Sequence, residues 1–166
     1  MTSKLPLATR RRIEYCQGYL LLGLHAEAEA EIAGIARDDR EAPEVLETEM
    51  TLRYGAEQWD QLFGLARHFT VIHPEREQGW ISLACALRRL EGVVPAKAIL
   101  LQADPRFGRT SATLNYNLAC YYCLLGELGE ARGRLARAFE LSRGFRQEAR
   151  RDPDLQRLWS EIEAMP

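Results

Sequence analysis

Two of the four cysteines have a spacing that could support redox or metal chemistry. Cys120 and Cys123 form a CxxC pair, which thiol–disulfide enzymes place at a helix start after a strand, where the helix terminus lowers the thiol pKa. Here the pair lies inside the run NLACYYCLLG, a continuous helical pattern with no strand pattern before it. A zinc site would need two further ligands, and no second CxxC or HxxxH supplies them. We therefore interpret both cysteines as packing residues and expect no metal site.

The histidines and carboxylates do not form a catalytic motif either. The chain contains no GxSxG, no glycine-rich phosphate loop and no HExxH. The alternating glutamates of residues 27–31 lie on a helical segment whose apolar face is defined by Ala28 and Ile32. We therefore expect these glutamates to face solvent. The histidines are scattered along the sequence, at His25, His68 and His73. We expect neither catalysis nor a cofactor.

The composition is that of an ordered, soluble protein. Of the 166 residues, 46% are hydrophobic and 28% are charged. No run approaches the roughly 18 apolar residues that cross a bilayer, and the N-terminus lacks the apolar core of a secretory signal. We expect a cytoplasmic protein without membrane contact. The formal net charge of −2 argues against a nucleic-acid partner, although the first half is acidic and the second half is basic.

The strongest pattern is a pair of helices in the stretch 115–141. Its first helix carries a large, a small and an aromatic residue on one face, at Leu118, Ala119 and Tyr122. Gly126 interrupts this helix. A second apolar stripe then follows at Ala131, Leu135 and Ala138. Each helix of the pair has an apolar side, so the two can close on each other as a hairpin.

This helix pair recurs along the chain. The hairpins begin near residues 9, 43, 77 and 112, so their starts differ by 34, 34 and 35 residues. In the third copy the first helix carries Trp80, Leu83, Ala84 and Leu87. We expect its second helix to end early, at Asp104-Pro105, because a proline disfavours the helical conformation of the residue before it.

The order large, small, aromatic, then Gly and Ala resembles the tetratricopeptide repeat, a helix pair with a period of 34 residues. Trp80, Leu83 and a closing Pro74 match its signature directly, whereas Cys16 and Met50 are larger than the small residue it expects. The resemblance covers residues 9–145, as repeats near 9–42, 43–76, 77–111 and 112–145. It implies an all-α, right-handed α–α superhelix of about four hairpins, a solenoid whose concave face is lined mainly by the first helix of each hairpin.

The two ends of the chain fall outside the repeats. We expect residues 1–8 to be a frayed N-terminus. Residues 146–166 are expected to form a C-terminal capping helix, in which Asp152 caps a start at Pro153. Its apolar stripe comprises Leu155, Leu158, Trp159 and Ile162.

Members of this family usually bind segments of other proteins in the concave groove. We expect the groove to be lined by the flank that adjoins the core stripe of each first helix. Tyr54, Ile81 and Tyr116 would contact an apolar anchor, Arg88 a carboxylate and Glu47 a cation. The full predicted lining is Ile13, Gln17, Glu47, Thr51, Tyr54, Ile81, Cys85, Arg88, Tyr116, Cys120 and Cys123.

The function predicted from the sequence is therefore a non-enzymatic protein–protein interaction module, or scaffold, that binds a segment of a partner protein. Two alternatives remain open. One is a chaperone of the bacterial type III secretion class, which is of similar length and would hold a translocator. The other is a structural module that self-associates as a homo-oligomer through an exposed end.

Overall fold

The computed structural model describes residues 5–165, and these residues form ten α-helices, two 3-10 helices and no strand. The prediction of an all-α fold is confirmed. Within the described residues, no helix combines the length and apolar character needed to span a membrane.

Eight of the helices follow one another as four pairs. The pairs are α1 (Leu7–Leu21) with α2 (His25–Ala33), α3 (Pro43–Gly55) with α4 (Trp59–Ile72), α5 (Glu77–Leu90) with α6 (Val93–Phe107), and α7 (Ala112–Leu124) with α8 (Leu128–Leu141). A 3-10 turn at Arg37–Asp39 precedes α3. After α8 come α9 (Gly144–Ala149), a 3-10 helix at Pro153–Leu158 and α10 (Trp159–Ile162).

The chain divides into two compact units, Met1–Ser82 and Leu83–Pro166, whose boundary falls inside α5. In the N-terminal unit, α1, α2 and α3 pack around a core that includes Cys16, Ala28 and Val45. Helix α4 adds Leu62, Ala66 and Phe69, which are fully buried at offsets 0, 4 and 7 of its apolar stripe.

The C-terminal unit has its own core. Helix α7 is buried on almost every side because it packs against α6, α8 and the 3-10 helix. The core positions recur at the repeat period within this unit: Ala84 and Ala119, Leu100 and Leu135, Ala103 and Ala138.

Each helix pair is closed by a turn that contains a positive-φ residue, and in three of the four turns the residue after it donates the closing hydrogen bond, whereas in the third pair Gly92 has both roles. One residue in each turn has a positive φ: Gly23 (71°), Glu57 (55°), Gly92 (104°) and Gly126 (81°). A backbone N–H then bonds the carbonyl five residues earlier, at 2.9 Å from Leu24 to Tyr19, 2.9 Å from Gln58 to Arg53, 3.1 Å from Gly92 to Leu87 and 2.9 Å from Glu127 to Tyr122. This closure satisfies carbonyls that the helix end leaves open.

The early end expected for the second helix of the third pair is wrong, because α6 continues through Pro105 to Phe107. Pro105 stands in the last turn, where a missing N–H removes a single helical hydrogen bond. Asp104 is held in the helix by Arg134, whose guanidinium reaches its two carboxylate oxygens at 2.6 and 2.5 Å. The carbonyl of Asp104 also accepts the N–H of Gly108 at 2.8 Å.

The two ends of the chain also differ from the expectation. Helix α1 begins at Leu7, inside the segment 1–8 expected to be frayed, and the carbonyl of Pro6 accepts its first hydrogen bond, from Arg10. Residues 1–4 of that expectation lie outside the described residues. The expected capping helix is three short helices, since Asp152 and Pro153 stop one helical segment and start another. Leu155, Leu158 and Ile162 are nevertheless fully buried.

Candidate protein-binding surfaces

The predicted groove residues of the N-terminal unit are partly accessible and partly buried. Gln17, Thr51 and Tyr54 are exposed and Glu47 is half-buried. Ile13 and Ile81 are each only 8% exposed, so they belong to the core rather than to a surface.

Helix α3 reaches solvent along one narrow strip. Glu44, Glu47, Thr51 and Tyr54 stand at offsets 0, 3, 7 and 10, which places them in one row along the helix. We call these four residues the α3 strip. The rest of the helix is packed by α1, α2 and α4, and its buried side chains are Val45, Leu46, Thr48, Met50 and Leu52.

The α3 strip is acidic at one end and aromatic at the other. Arg76, which precedes α5, approaches Glu44 at 3.5 Å and Glu47 at 3.4 Å, so two carboxylates share one guanidinium. Burial raises the pKa of Glu47, and the charge of Arg76 opposes that shift. At the other end, the ring of Tyr54 meets Trp59 edge-on with centroids 5.5 Å apart, which fixes its orientation. Glu44 and Arg76 were absent from the predicted lining, although Glu44 lies one helical turn before Glu47.

The predicted groove residues on α7 are covered by the chain itself. Tyr116 is 6% exposed and stacks on Phe145, with ring centroids 4.6 Å apart and planes at 24°. Its hydroxyl donates a hydrogen bond of 2.8 Å to Asp152 Oδ2. The Cys120 thiol lies 3.6 Å from the same oxygen.

Arg88 finds its carboxylate partner within the same unit. Its Nη2 lies 2.7 and 2.6 Å from the two oxygens of Asp154, and its guanidinium lies 5.7 Å from the centre of the Tyr121 ring. Asp152 also accepts the N–H of Asp154 at 3.0 Å, so the two aspartates are held in one capped turn. The residues 145–158 therefore occupy the surface that the sequence assigned to a partner in this unit.

The thiols of this protein are held in their protonated form. Burial raises the pKa of Cys16 to about 11, and it also raises the pKa of Cys85, Cys120 and Cys123. For Cys120 the negative charge of Asp152 adds to the effect. A thiol with a raised pKa is a poor nucleophile and a poor metal ligand.

One group of side chains has atoms close enough for a cation: Cys120, Asp152 and Asp154 lie within 4.8 Å of one another. Both carboxylates already have partners within the unit, because Arg88 forms an ion pair with Asp154 and Tyr116 donates a hydrogen bond to Asp152. Beside them is an open cleft of about 500 Å³, lined by Tyr116, Gln147, Glu148, Arg151 and Asp152. Two carboxylates, of Glu148 and Asp152, and one guanidinium, of Arg151, line this cleft.

No protein-family model matches the chain, and a search of the curated proteins gave no match either. Its function is therefore inferred from the repeated helix pairs and from these two surfaces.

Proposed function

We propose that this chain is a non-enzymatic protein-interaction module built from four helix pairs of the tetratricopeptide type. The regular spacing of the helices supports the repeat. The second helices begin at His25, Trp59, Val93 and Leu128, so their starts differ by 34, 34 and 35 residues, against a period of 34 in that family.

The equivalence extends to packing and to turns. Cys16, Met50, Ala84 and Ala119 occupy the small-residue position of the four first helices, and all four are fully buried. The positive-φ residue of each turn also recurs at offsets of 34, 35 and 34 residues. Repetition in sequence, burial and backbone conformation favours four copies of one supersecondary unit.

The single observation that carries the binding proposal is the α3 strip. It is an accessible row on a first helix, and it presents a 49%-exposed tyrosine whose ring packs edge-on against Trp59. Aromatic side chains of this kind contribute much of the binding energy in protein interfaces. In the C-terminal unit, residues 145–158 cover the predicted face of α7, so the exposed predicted residues of α3 are favoured over those of α7.

The negative charge of this surface favours a partner segment that carries a basic residue. Residues 1–82 contain 14 acidic and 9 basic residues, a formal net charge of −5. Glu44 and Glu47 share Arg76, so a Lys or Arg of a bound segment would balance the second carboxylate. The proposed ligand is an extended protein segment with a basic residue near an apolar or aromatic one. Because such a segment loses conformational freedom on docking, we expect moderate affinity.

The test is calorimetric titration with a partner segment first identified by capture from the native lysate. Tyr54→Ala and Glu47→Gln should each weaken binding, Tyr54→Ala by about tenfold or more. The matched controls are Tyr15→Ala, whose ring is similarly exposed, and Glu27→Gln on the exposed side of α2. Binding of the Tyr54 and Glu47 variants with the parent's affinity would refute the assignment of the α3 strip.

A further inference from the structure

Residues 145–158, which we call the covering segment, follow α7 along its length. Asp152 lies beside Tyr116 in the first half of the helix, where the tyrosine hydroxyl donates a hydrogen bond of 2.8 Å to its carboxylate. Farther along, the guanidinium of Arg157 lies 3.1 Å from the position that a Cβ of Gly126 would occupy, just after the end of α7. The contacts of the covering segment therefore extend over about 15 Å of this helix.

These contacts have the chemistry that the sequence predicts for a bound partner. The sequence predicts a carboxylate partner for Arg88, and Asp154 supplies one at 2.6 Å. It predicts an apolar anchor for Tyr116, and the ring of Phe145 stacks on this tyrosine with centroids 4.6 Å apart. We call the surface formed by these two recognition residues the Arg88–Tyr116 face. The covering segment therefore fills this face in the manner of a ligand.

The covering segment is attached to the face through side chains. In the described part of the chain, the backbone–backbone hydrogen bonds of residues 143–165 join these residues to one another or to Ser142. The segment contains α9 and the following 3-10 helix, each of six residues, and helices shorter than roughly 12 residues are marginal in water on their own. Its order therefore depends on docking, which buries Leu155 and Leu158. Such a segment has a docked, ordered state and an undocked, disordered one.

We propose that the covering segment is an autoinhibitory ligand, which occupies the Arg88–Tyr116 face and must undock before a segment of another protein binds there. The competing partner segment has the same chemistry: an aromatic residue followed seven and nine residues later by carboxylates, the spacing of Phe145, Asp152 and Asp154. Because the face is free only in the fraction of molecules whose covering segment is undocked, the apparent affinity for the partner is reduced by that fraction. The inference goes beyond the proposed function, since it concerns the C-terminal unit and does not depend on the α3 strip.

The experiment is a fluorescence polarisation titration of a labelled synthetic peptide, with the sequence of residues 143–160, against the full chain. The parent should bind the peptide weakly, because its own covering segment is present at a high effective concentration. A double variant, Phe145→Ala with Asp154→Ala, weakens the docked segment but leaves the face intact. It should bind the peptide at least about tenfold more tightly than the parent. Adding Arg88→Glu to this variant should remove the gain.

Two further variants separate release of the face from general destabilisation. Asp154→Asn alone removes only the charge of the carboxylate, so it should give a smaller gain in the same direction. Leu100→Ala creates a cavity at a fully buried position of α6 in the same unit, and it should bind the peptide like the parent. The proposal is overturned if the double variant binds no more tightly than the parent, if the gain survives Arg88→Glu, or if Leu100→Ala produces the same gain.

Hydrogen exchange of the double variant tests whether the covering segment undocks as a unit. The amides of residues 144–163 should exchange faster than in the parent, because their order depends on docking, while those of α8 should keep the parent's protection. Equal loss of protection in α8 would show that the segment is an inseparable part of the core, and this result would also overturn the proposal.

Discussion

Tyr116 shows at the scale of one residue how burial changes the meaning of a sequence pattern. Its position on the first helix of the last pair predicted a side chain at the mouth of a groove. In the structure its ring is stacked on Phe145 and its hydroxyl is bonded to Asp152. Local periodicity gives the direction of a side chain on its helix. It does not indicate that residues about 30 positions later return to cover that side.

Removing the hydroxyl of Tyr116 should destabilise the fold. Tyr116→Phe keeps the stacked ring but deprives the Asp152 carboxylate of a donor, which should lower the free energy of unfolding by about 1.5 to 3 kcal/mol. The matched control is Tyr54→Phe, whose side chain is half-exposed and should change stability by less than about 0.5 kcal/mol. Urea denaturation of both variants measures the difference, and equal effects would contradict the buried hydrogen bond.

Arg53 explains why the second helix pair departs from the repeat pattern. It occupies the place that Tyr122 takes in the last pair, and its guanidinium bonds Glu29 at 2.6 and 2.7 Å and Glu49 at 3.0 Å. Its side chain is only 11% exposed. A charged residue can replace an aromatic one here because neighbouring carboxylates compensate its charge. The sequence places Glu49 one turn before Arg53 on the same helix, but it does not indicate the partner Glu29, which lies on another helix.

At the scale of the element, the helix pairs could be predicted because their signals are local. Apolar stripes and turn glycines lie within a few residues of the boundaries that they set. The predicted helix boundaries were wrong where a residue distant in sequence determines where the helix ends. Arg134 holds Asp104 in the last turn of α6. In the C-terminal segment, the apolar stripe predicted one helix, whereas Leu155, Leu158 and Ile162 pack into the core from separate short helices.

The turn between α3 and α4 offers a direct test of the shared turn geometry. Glu57 has a φ of 55°, whereas the other three turns place glycine at positive φ. Glu57→Gly should raise the free energy of unfolding by about 1 kcal/mol, because it relieves the strain of a left-handed backbone. Gly23→Ala should lower it by a similar amount, since no atom within 4 Å obstructs the new methyl group and only backbone strain is added.

Thermal or urea unfolding of these two variants provides the measurement. The two changes are opposite substitutions at equivalent turns, so their effects should have opposite signs. A Glu57→Gly variant that is less stable than the parent would contradict the role assigned to the turn.

At the scale of the whole molecule, the uneven charge of the sequence corresponds to the two units. Residues 1–82 have a formal net charge of −5, whereas residues 83–166, with 10 acidic and 13 basic residues, have +3. The predicted groove residues also differ in accessibility between the two units. The described part of the N-terminal unit leaves the α3 strip accessible, and in the C-terminal unit residues 145–158 cover the corresponding residues of α7. Sequence patterning predicted the charge difference, but the covering segment depends on contacts across long separations.

Binding of a partner segment at the α3 strip is the central claim, and site-specific photo-crosslinking in the native cells tests it most directly. Benzoylphenylalanine would replace Thr51, at the centre of the strip, or Val71, an exposed position on α4 of the same unit. The proposal predicts a discrete crosslinked partner from position 51 and none from position 71. No product at position 51, or the same product in equal yield from both positions, would contradict it.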